Sequence, residues 1–141
     1  MSEYDDKTAI SSRGRVLLLD HDDARRKAMT ERLEENLFHV RAYATGDDAL
    51  AKAVEFDPDV VLFDISQLDA CRRFRQRQEL AQVPIVFVTE RDDEATTLLA
   101  LAAGGSDFLA RDASVPILIA RLSSLVALRR AQRQLLKLAA K

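Results

Sequence analysis

Five short apolar runs alternate along the chain with longer stretches in which apolar residues recur at helical spacing. Between the first two runs, for example, Met29 and Leu33 lie four residues apart, on one face of a helix. Strands that are apolar on both faces are typical of a parallel sheet with helices on both sides. Right-handed crossovers then predict an α/β fold, a doubly wound three-layer sandwich around a five-stranded parallel sheet. The five runs are residues 15–19, 39–43, 59–63, 84–88 and 107–110.

The helical stretches carry start and stop signals of their own. Asp22 or Asp23 is placed to cap the first helix, and Pro58 ends the second. Gly104 and Gly105 close the fourth. The pattern from residue 115 to the end predicts one helix of ~40 Å, which is longer than a sheet of this size requires.

Polar residues follow four of the apolar runs, at the point where each predicted strand ends. In open parallel sheets the working site lies beyond the carboxyl ends of the strands. Carboxylates, a hydroxyl and a cation are therefore expected to meet at one edge of the sheet. These residues are Asp20, His21 and Asp22 after the first run, Asp64 after the third, Thr89 and Glu90 after the fourth, and Arg111 after the fifth.

Composition narrows the class of protein to a single domain of moderate size. The chain has 141 residues, a net charge of −2 and one cysteine, Cys71, which favours a reducing compartment and predicts a cytoplasmic protein. No apolar run approaches the ~20 residues of a membrane span, so no membrane association is expected. We predict a disordered lead-in over 1–14, a domain over 15–128, and a basic extension of the last helix over 129–141.

Four motifs resemble those of the response-regulator receiver family, the CheY-like, flavodoxin-like fold. They are LLLDHDD, PDVVLFD, PIVFVTE and GGSDFLAR, in the family's order, and the resemblance runs from about Arg15 to about Val126. The resemblance implies that Asp64 is the phosphoacceptor and Asp20 the first of two acids after the first strand. It further implies that Thr89 is the switch hydroxyl, that Phe108 is the aromatic switch residue and that Arg111 stands where the family has lysine.

The resemblance implies a two-component signalling switch and not an enzyme. A sensor histidine kinase or a phosphotransfer protein would donate the phosphoryl group to Asp64, and the domain would then switch a protein partner or a dimer. Mg²⁺ is the implied cofactor, and it takes oxygen ligands. The candidate ligands are Asp20, Asp64, Asp22 and the carbonyl of Ser66.

Several departures from the family pattern leave a second interpretation open. His21 replaces the second acid and weakens the expected Mg²⁺ site, Arg111 replaces the lysine, Asp112 replaces the usual proline, and the loop after Asp64 is shortened. An arginine differs from a lysine in shape and reach. The alternative is a phosphorylation-independent pseudo-receiver, which binds a protein or a cyclic dinucleotide through its last helices.

The last helix combines an apolar stripe with a basic face. The stripe favours a homodimer or packing on a downstream effector domain, and the segment is similar to the stalk of receivers linked to diguanylate cyclases. The basic face is consistent with a solvated helix, an acidic protein partner or a cyclic dinucleotide. DNA binding is disfavoured, because no helix-turn-helix pattern follows. The basic residues are Arg129, Arg130, Arg133 and Lys137.

Overall fold

The computed structural model describes residues 12–91 and 93–140. In this part of the chain five strands form one parallel sheet in the order β2-β1-β3-β4-β5, which confirms the predicted doubly wound α/β fold. Most of the predicted lead-in lies outside the described residues, and β1 starts one residue before the predicted domain boundary. The strands are β1 (Gly14–Leu19), β2 (Phe38–Tyr43), β3 (Val60–Asp64), β4 (Ile85–Thr89) and β5 (Asp107–Ala110).

Short polar side chains begin four of the five described helices, because each accepts a hydrogen bond from a backbone N–H of the first turn. The caps are Asp22, Thr45, Asp93 and Ser114. The helices are α1 (Asp23–Glu35), α2 (Gly46–Phe56), α3 (Leu68–Gln76), α4 (Glu94–Ala102) and α5 (Val115–Ala139).

Two apolar clusters cover the two faces of the sheet. On one face Phe63 packs edge-to-face against Phe74 of α3 and Phe87 of β4, with ring centroids 5.1 and 6.1 Å apart, and α2 and α4 complete this layer. On the other face Leu33 of α1 and Leu122 of α5 pack against the buried residues of the central strands that point to that face. The three-layer sandwich predicted from the apolar runs is therefore formed.

The loop after β3 is short, as the sequence predicts. A single 3₁₀ turn, Ile65–Gln67, leads directly into α3 at Leu68. At the far end, α5 spans 25 residues, so the long final helix is also confirmed. No helix in the described part of the chain combines the length and the apolar character needed to cross a membrane.

Candidate functional site

Three buried polar residues lie where β1, β3 and β4 end. Asp20 follows β1, while Asp64 and Thr89 are the last residues of β3 and β4, and all three side chains are almost fully buried. The parallel register aligns these strand ends, since Leu19 is opposite Phe63, and Asp64 is opposite Val88. The predicted convergence of these residues at one edge of the sheet is therefore observed.

Asp64 has hydrogen-bond donors on both carboxylate oxygens. The backbone N–H and the hydroxyl of Ser66 both donate to Oδ2, the former over 3.1 Å. The guanidinium of Arg111 donates to Oδ1. Ser66 thus contacts the predicted phosphoacceptor directly, and the short 3₁₀ turn after β3 makes this contact possible.

Arg25, a residue that the sequence did not single out, is the closest partner of Asp20. Its Nε and Nη2 donate to the two carboxylate oxygens of Asp20 over 3.0 and 2.8 Å, a bidentate pair. The same Nη2 lies 3.6 Å from Oδ1 of Asp64. The signal in the sequence is that a cap at Asp22 places Arg25 in the first turn of α1, beside the end of β1.

Arg111 provides the second cation of the site. Besides its bond to Asp64, its Nη1 lies 3.7 Å from Oδ2 of Asp20, and its Nε lies 3.4 Å from Oε1 of Glu90. Two buried carboxylates are therefore faced by two guanidinium groups. Such pairing offsets the cost of removing both carboxylates from water.

The pKa of Asp20 reflects this pairing. Burial acts to raise it and is the largest single influence. The hydrogen bonds from Arg25 and from the backbone of Asp22, with the charges of Arg25 and Arg111, outweigh burial and lower the pKa below its ordinary value of 3.8. In turn, the hydrogen bond to Asp20 raises the pKa of Arg25. The pairing therefore stabilises the charged forms of both Asp20 and Arg25.

An open cleft of about 300 Å³ lies beside Asp64 and the two arginines of the site. Thr89 contributes to it, and its hydroxyl accepts from the backbone N–H of Arg91 and donates to the carbonyl of Arg91, over 2.9 and 3.2 Å. Phe108, the predicted aromatic switch residue, lies in β5 and packs half-buried against the apolar cluster that contains Phe87. The cleft is lined by Arg25, Asp64, Ile65, Thr89, Glu90, Arg91 and Arg111.

Comparison with known proteins identifies the family. The profile described as response regulator receiver domain matches residues 16–123, which is most of the chain. This chain belongs to the response regulator receiver domain family. The resemblance inferred from the four motifs is thereby confirmed.

Two transcriptional regulatory proteins are similar to this chain. The phosphate regulon transcriptional regulatory protein PhoB of Rhizobium meliloti is 31% identical over 86% of this chain and 55% of its own length. The transcriptional regulatory protein GltR of Pseudomonas aeruginosa is 33% identical over 87% and 52%. The chain thus spans about half the length of these two curated relatives.

One solved structure that shares the fold is a receiver crystallised with a metal. It is the receiver domain of the sensor histidine kinase PA1611 from Pseudomonas aeruginosa PAO1, with a magnesium ion coordinated in its active-site cleft. The TM-score is 0.75 at 22% identity, covering 81% of this chain and 98% of that one.

Directly after β1 and Asp20, His21 stands where the receiver family has a second acid. Among the described residues, Asp20, His21 and Asp64 form a group whose potential metal-ligand atoms all lie within 4.8 Å of one another. His21 is largely exposed, with Nδ1 3.9 Å from Oδ1 of Asp20. Asp22 stands outside this group and caps α1, accepting from the backbone N–H of Arg25 over 2.9 Å, a bond that lowers its pKa. Asp22 therefore takes the first of its two predicted roles, the cap.

The basic residues of α5 contact the opposite end of the receiver. Arg133 donates to Oδ1 of Asp59 over 2.7 Å and to Oδ1 of Asp57 over 2.8 Å, just before β3 begins. Arg130 reaches Oδ2 of Asp59 over 3.4 Å. Arg129 is buried and Lys137 is exposed. Two of the four predicted tail cations are thus paired with carboxylates of the domain itself.

Proposed function

We propose that this receiver is a signalling switch in which Asp64 accepts a phosphoryl group from a histidine kinase or a phosphotransfer protein. The observation that carries the proposal is the buried carboxylate of Asp64 in an open cleft that Thr89 and Arg111 also line. These are a nucleophile, a hydroxyl and a fork of donors. They suit the transfer and retention of a phosphoryl group.

The chemistry follows from the charges around Asp64. One of its oxygens attacks phosphorus, the bond from phosphorus to the donor nitrogen breaks, and an acyl phosphate forms. The incoming group brings negative charge to a site that already holds two carboxylates, so cations must neutralise it. Arg111 and Arg25 supply two positive charges within 4 Å of the carboxylates. Movement of Arg111 and Thr89 toward the new oxygens would change the loops that partners contact.

The predicted Mg²⁺ ligands do not fit the ion while Arg25 is in place. Mg²⁺ requires oxygens at about 2.0–2.1 Å in nearly ideal octahedral geometry. Nη2 of Arg25 instead lies between the two carboxylates, 2.8 Å from Oδ1 of Asp20 and 3.6 Å from Oδ1 of Asp64. We therefore assign the neutralising role in phosphoryl transfer to the chain's own cations.

We further propose how the module is organised and where it works. The receiver occupies 15–128, and residues 129–141 extend its last helix towards a partner, a downstream effector domain or a second copy. Cys71 is a buried free thiol with its Sγ 3.2 Å from the carbonyl of Ala103, which suits a reducing cytoplasm. The module passes on a signal and turns over no substrate beyond its own phosphorylation.

The test is intact-protein mass after incubation with a small phosphoryl donor such as acetyl phosphate, with and without Mg²⁺. We expect a gain of one phosphoryl group in the wild type and in Asp69→Asn, an acidic control five residues along the chain. We expect no gain in Asp64→Asn, which lacks the nucleophile. A gain that survives Asp64→Asn, or no gain in the wild type with any donor, would overturn the proposal.

The alternative function, a phosphorylation-independent pseudo-receiver, is favoured by one observation. Both oxygens of Asp64 already accept hydrogen bonds, from Ser66 and Arg111. A protein partner on α5 suits this reading better than a cyclic dinucleotide, because Arg130 and Arg133 are paired with Asp57 and Asp59. Unchanged partner binding by Asp64→Asn, together with an unphosphorylated wild type, would favour this alternative.

A further inference from the structure

We propose that Arg25 is a tethered cation that takes the place of a divalent metal between Asp20 and Asp64, so that metal ions bind tightly only after Arg25 leaves. Metal binding at this site can be measured on the unphosphorylated protein, whether or not Asp64 accepts a phosphoryl group.

The first support is the occupancy of the carboxylate oxygens. Oδ1 of Asp20 accepts from Arg25 and from the backbone N–H of Asp22, over 2.8 and 2.9 Å, and Oδ2 accepts from Nε of Arg25. The oxygens of Asp64 accept from Arg111 and Ser66. All four oxygens that a shared metal could use already have donors.

The second support is the balance of charge. Asp20 and Asp64 bring two negative charges, and Arg25 and Arg111 bring two positive charges to the same place. The other acids nearby, Asp22 and Glu90, are exposed to water, so a divalent ion between the two buried carboxylates would meet little net attraction. It would also lie within a few ångströms of two guanidinium groups, where repulsion between like charges is strong.

The third support is the position of Arg25 on its helix. Arg25 is in the first turn of α1, whose amino end carries partial positive charge and disfavours a cation. Its guanidinium nevertheless turns back to Asp20, and its side chain is only 32% exposed. Arg26, its neighbour, contacts the Asp20 carbonyl and the exposed Asp23 instead. The bidentate pair with Asp20 therefore offsets an unfavourable helix position for Arg25 specifically.

The test is the affinity for Mn²⁺, followed by the loss of the free-ion signal in electron paramagnetic resonance, with no phosphoryl donor present. The chain has no tryptophan whose fluorescence could report binding, so the signal of the metal itself is followed. Removing one positive charge at this distance is expected to raise the affinity of Arg25→Ala on the order of tenfold or more over wild type. Lys27→Ala removes the same charge from an exposed position of α1 and is expected to bind as the wild type does. Equal affinity in Arg25→Ala and wild type would overturn the inference.

A second measurement locates the gained site and guards against misfolding. Arg25→Ala leaves two buried carboxylates with one cation, so its melting temperature should fall in the absence of metal and recover with Mg²⁺ more than that of wild type does. Adding Asp20→Asn should abolish both the recovery and the gained Mn²⁺ affinity. Arg25→Gln, which keeps a polar but uncharged and shorter side chain, is measured in parallel should Arg25→Ala fail to fold. Metal recovery that survives Asp20→Asn would contradict the proposed location.

Discussion

Asp20 shows how one side chain can hold a charge in the interior of a receiver. It is 4% exposed, yet its pKa is lowered, because Arg25 and the backbone of Asp22 donate to it. A buried carboxylate without such partners would instead take up a proton. Because the unfolded chain lacks these partners, it binds the Asp20 proton more tightly than the folded protein does.

This difference predicts the pH dependence of stability. The contribution of Asp20 is complete above the unfolded carboxyl value of about 3.8 and is lost as the pH falls through the lower folded value. We expect Asp20→Asn to lose less stability than wild type between about pH 5 and pH 2, measured by urea denaturation. The capping carboxylates Asp22 and Asp93, whose pKa values are also lowered, retain part of the slope in both proteins.

The control for this measurement is Glu31→Gln, at an exposed position of α1. Its acid dependence should follow that of wild type. If Asp20→Asn lost stability in acid as steeply as wild type does, the negative charge of Asp20 would not stabilise the folded state.

Among the elements, α5 is anchored at a point far from the cleft. Asp59 is 1% exposed and accepts from the backbone N–H of Arg15 as well as from Arg130 and Arg133. Arg133 also donates to the carbonyl of Pro58 over 2.9 Å. The basic face of α5 therefore serves first to fasten the helix to the turn before β3.

We expect Arg133→Ala to lower the free energy of unfolding by about 1–3 kcal/mol, because a buried carboxylate loses a donor. Lys137→Ala, one turn further along α5 and exposed, should change stability by less than about 0.5 kcal/mol. Urea denaturation measures both variants. Equal free energies of unfolding for the two variants would show that the Arg133 contacts do not stabilise the fold. Arg133 would then be available to bind an anionic ligand.

At the scale of the whole molecule, the end of α5 presents apolar side chains to solvent. Leu128 and Leu135 are 51% and 66% exposed and lie seven residues apart, on the same face of the helix. A stripe of this kind beyond the edge of the sheet is typical of helices that associate. It supports the predicted homodimer or packing on a further domain.

We expect the double variant Leu128→Glu/Leu135→Glu to be monomeric at concentrations where the wild type self-associates, as measured by light scattering coupled to size exclusion. Charges at these positions would have to be buried without partners in the interface. Leu98→Glu, at an exposed leucine of α4, is the matched control and should behave as wild type. If only Leu98→Glu dissociates the protein, α4 and not α5 forms the interface.

The order of strands and helices could be predicted from the sequence, because short apolar runs and capping residues act locally. The same holds for Asp20, Asp64 and Thr89, since the end of a parallel strand is recognisable from its own residues. The shortened loop after Asp64 is also visible in the sequence, but the start of α3 at Leu68 is known only from the structure.

The sequence predicted that carboxylates and a cation meet at one edge of the sheet, but it could not predict the individual ion pairs, because most of them join residues far apart in the chain. Arg111 and Asp64 are separated by 47 residues, and Arg133 and Asp59 by 74. Arg25 is close to Asp20 in sequence, but its distance from Asp64 depends on β1 and β3 being neighbours in the sheet. Sequence by itself determined which charged residues the receiver carries and at which strand ends they lie. Only the tertiary structure decided which charges neutralise one another, because that depends on distances of a few ångströms set by the packing of helices on the sheet.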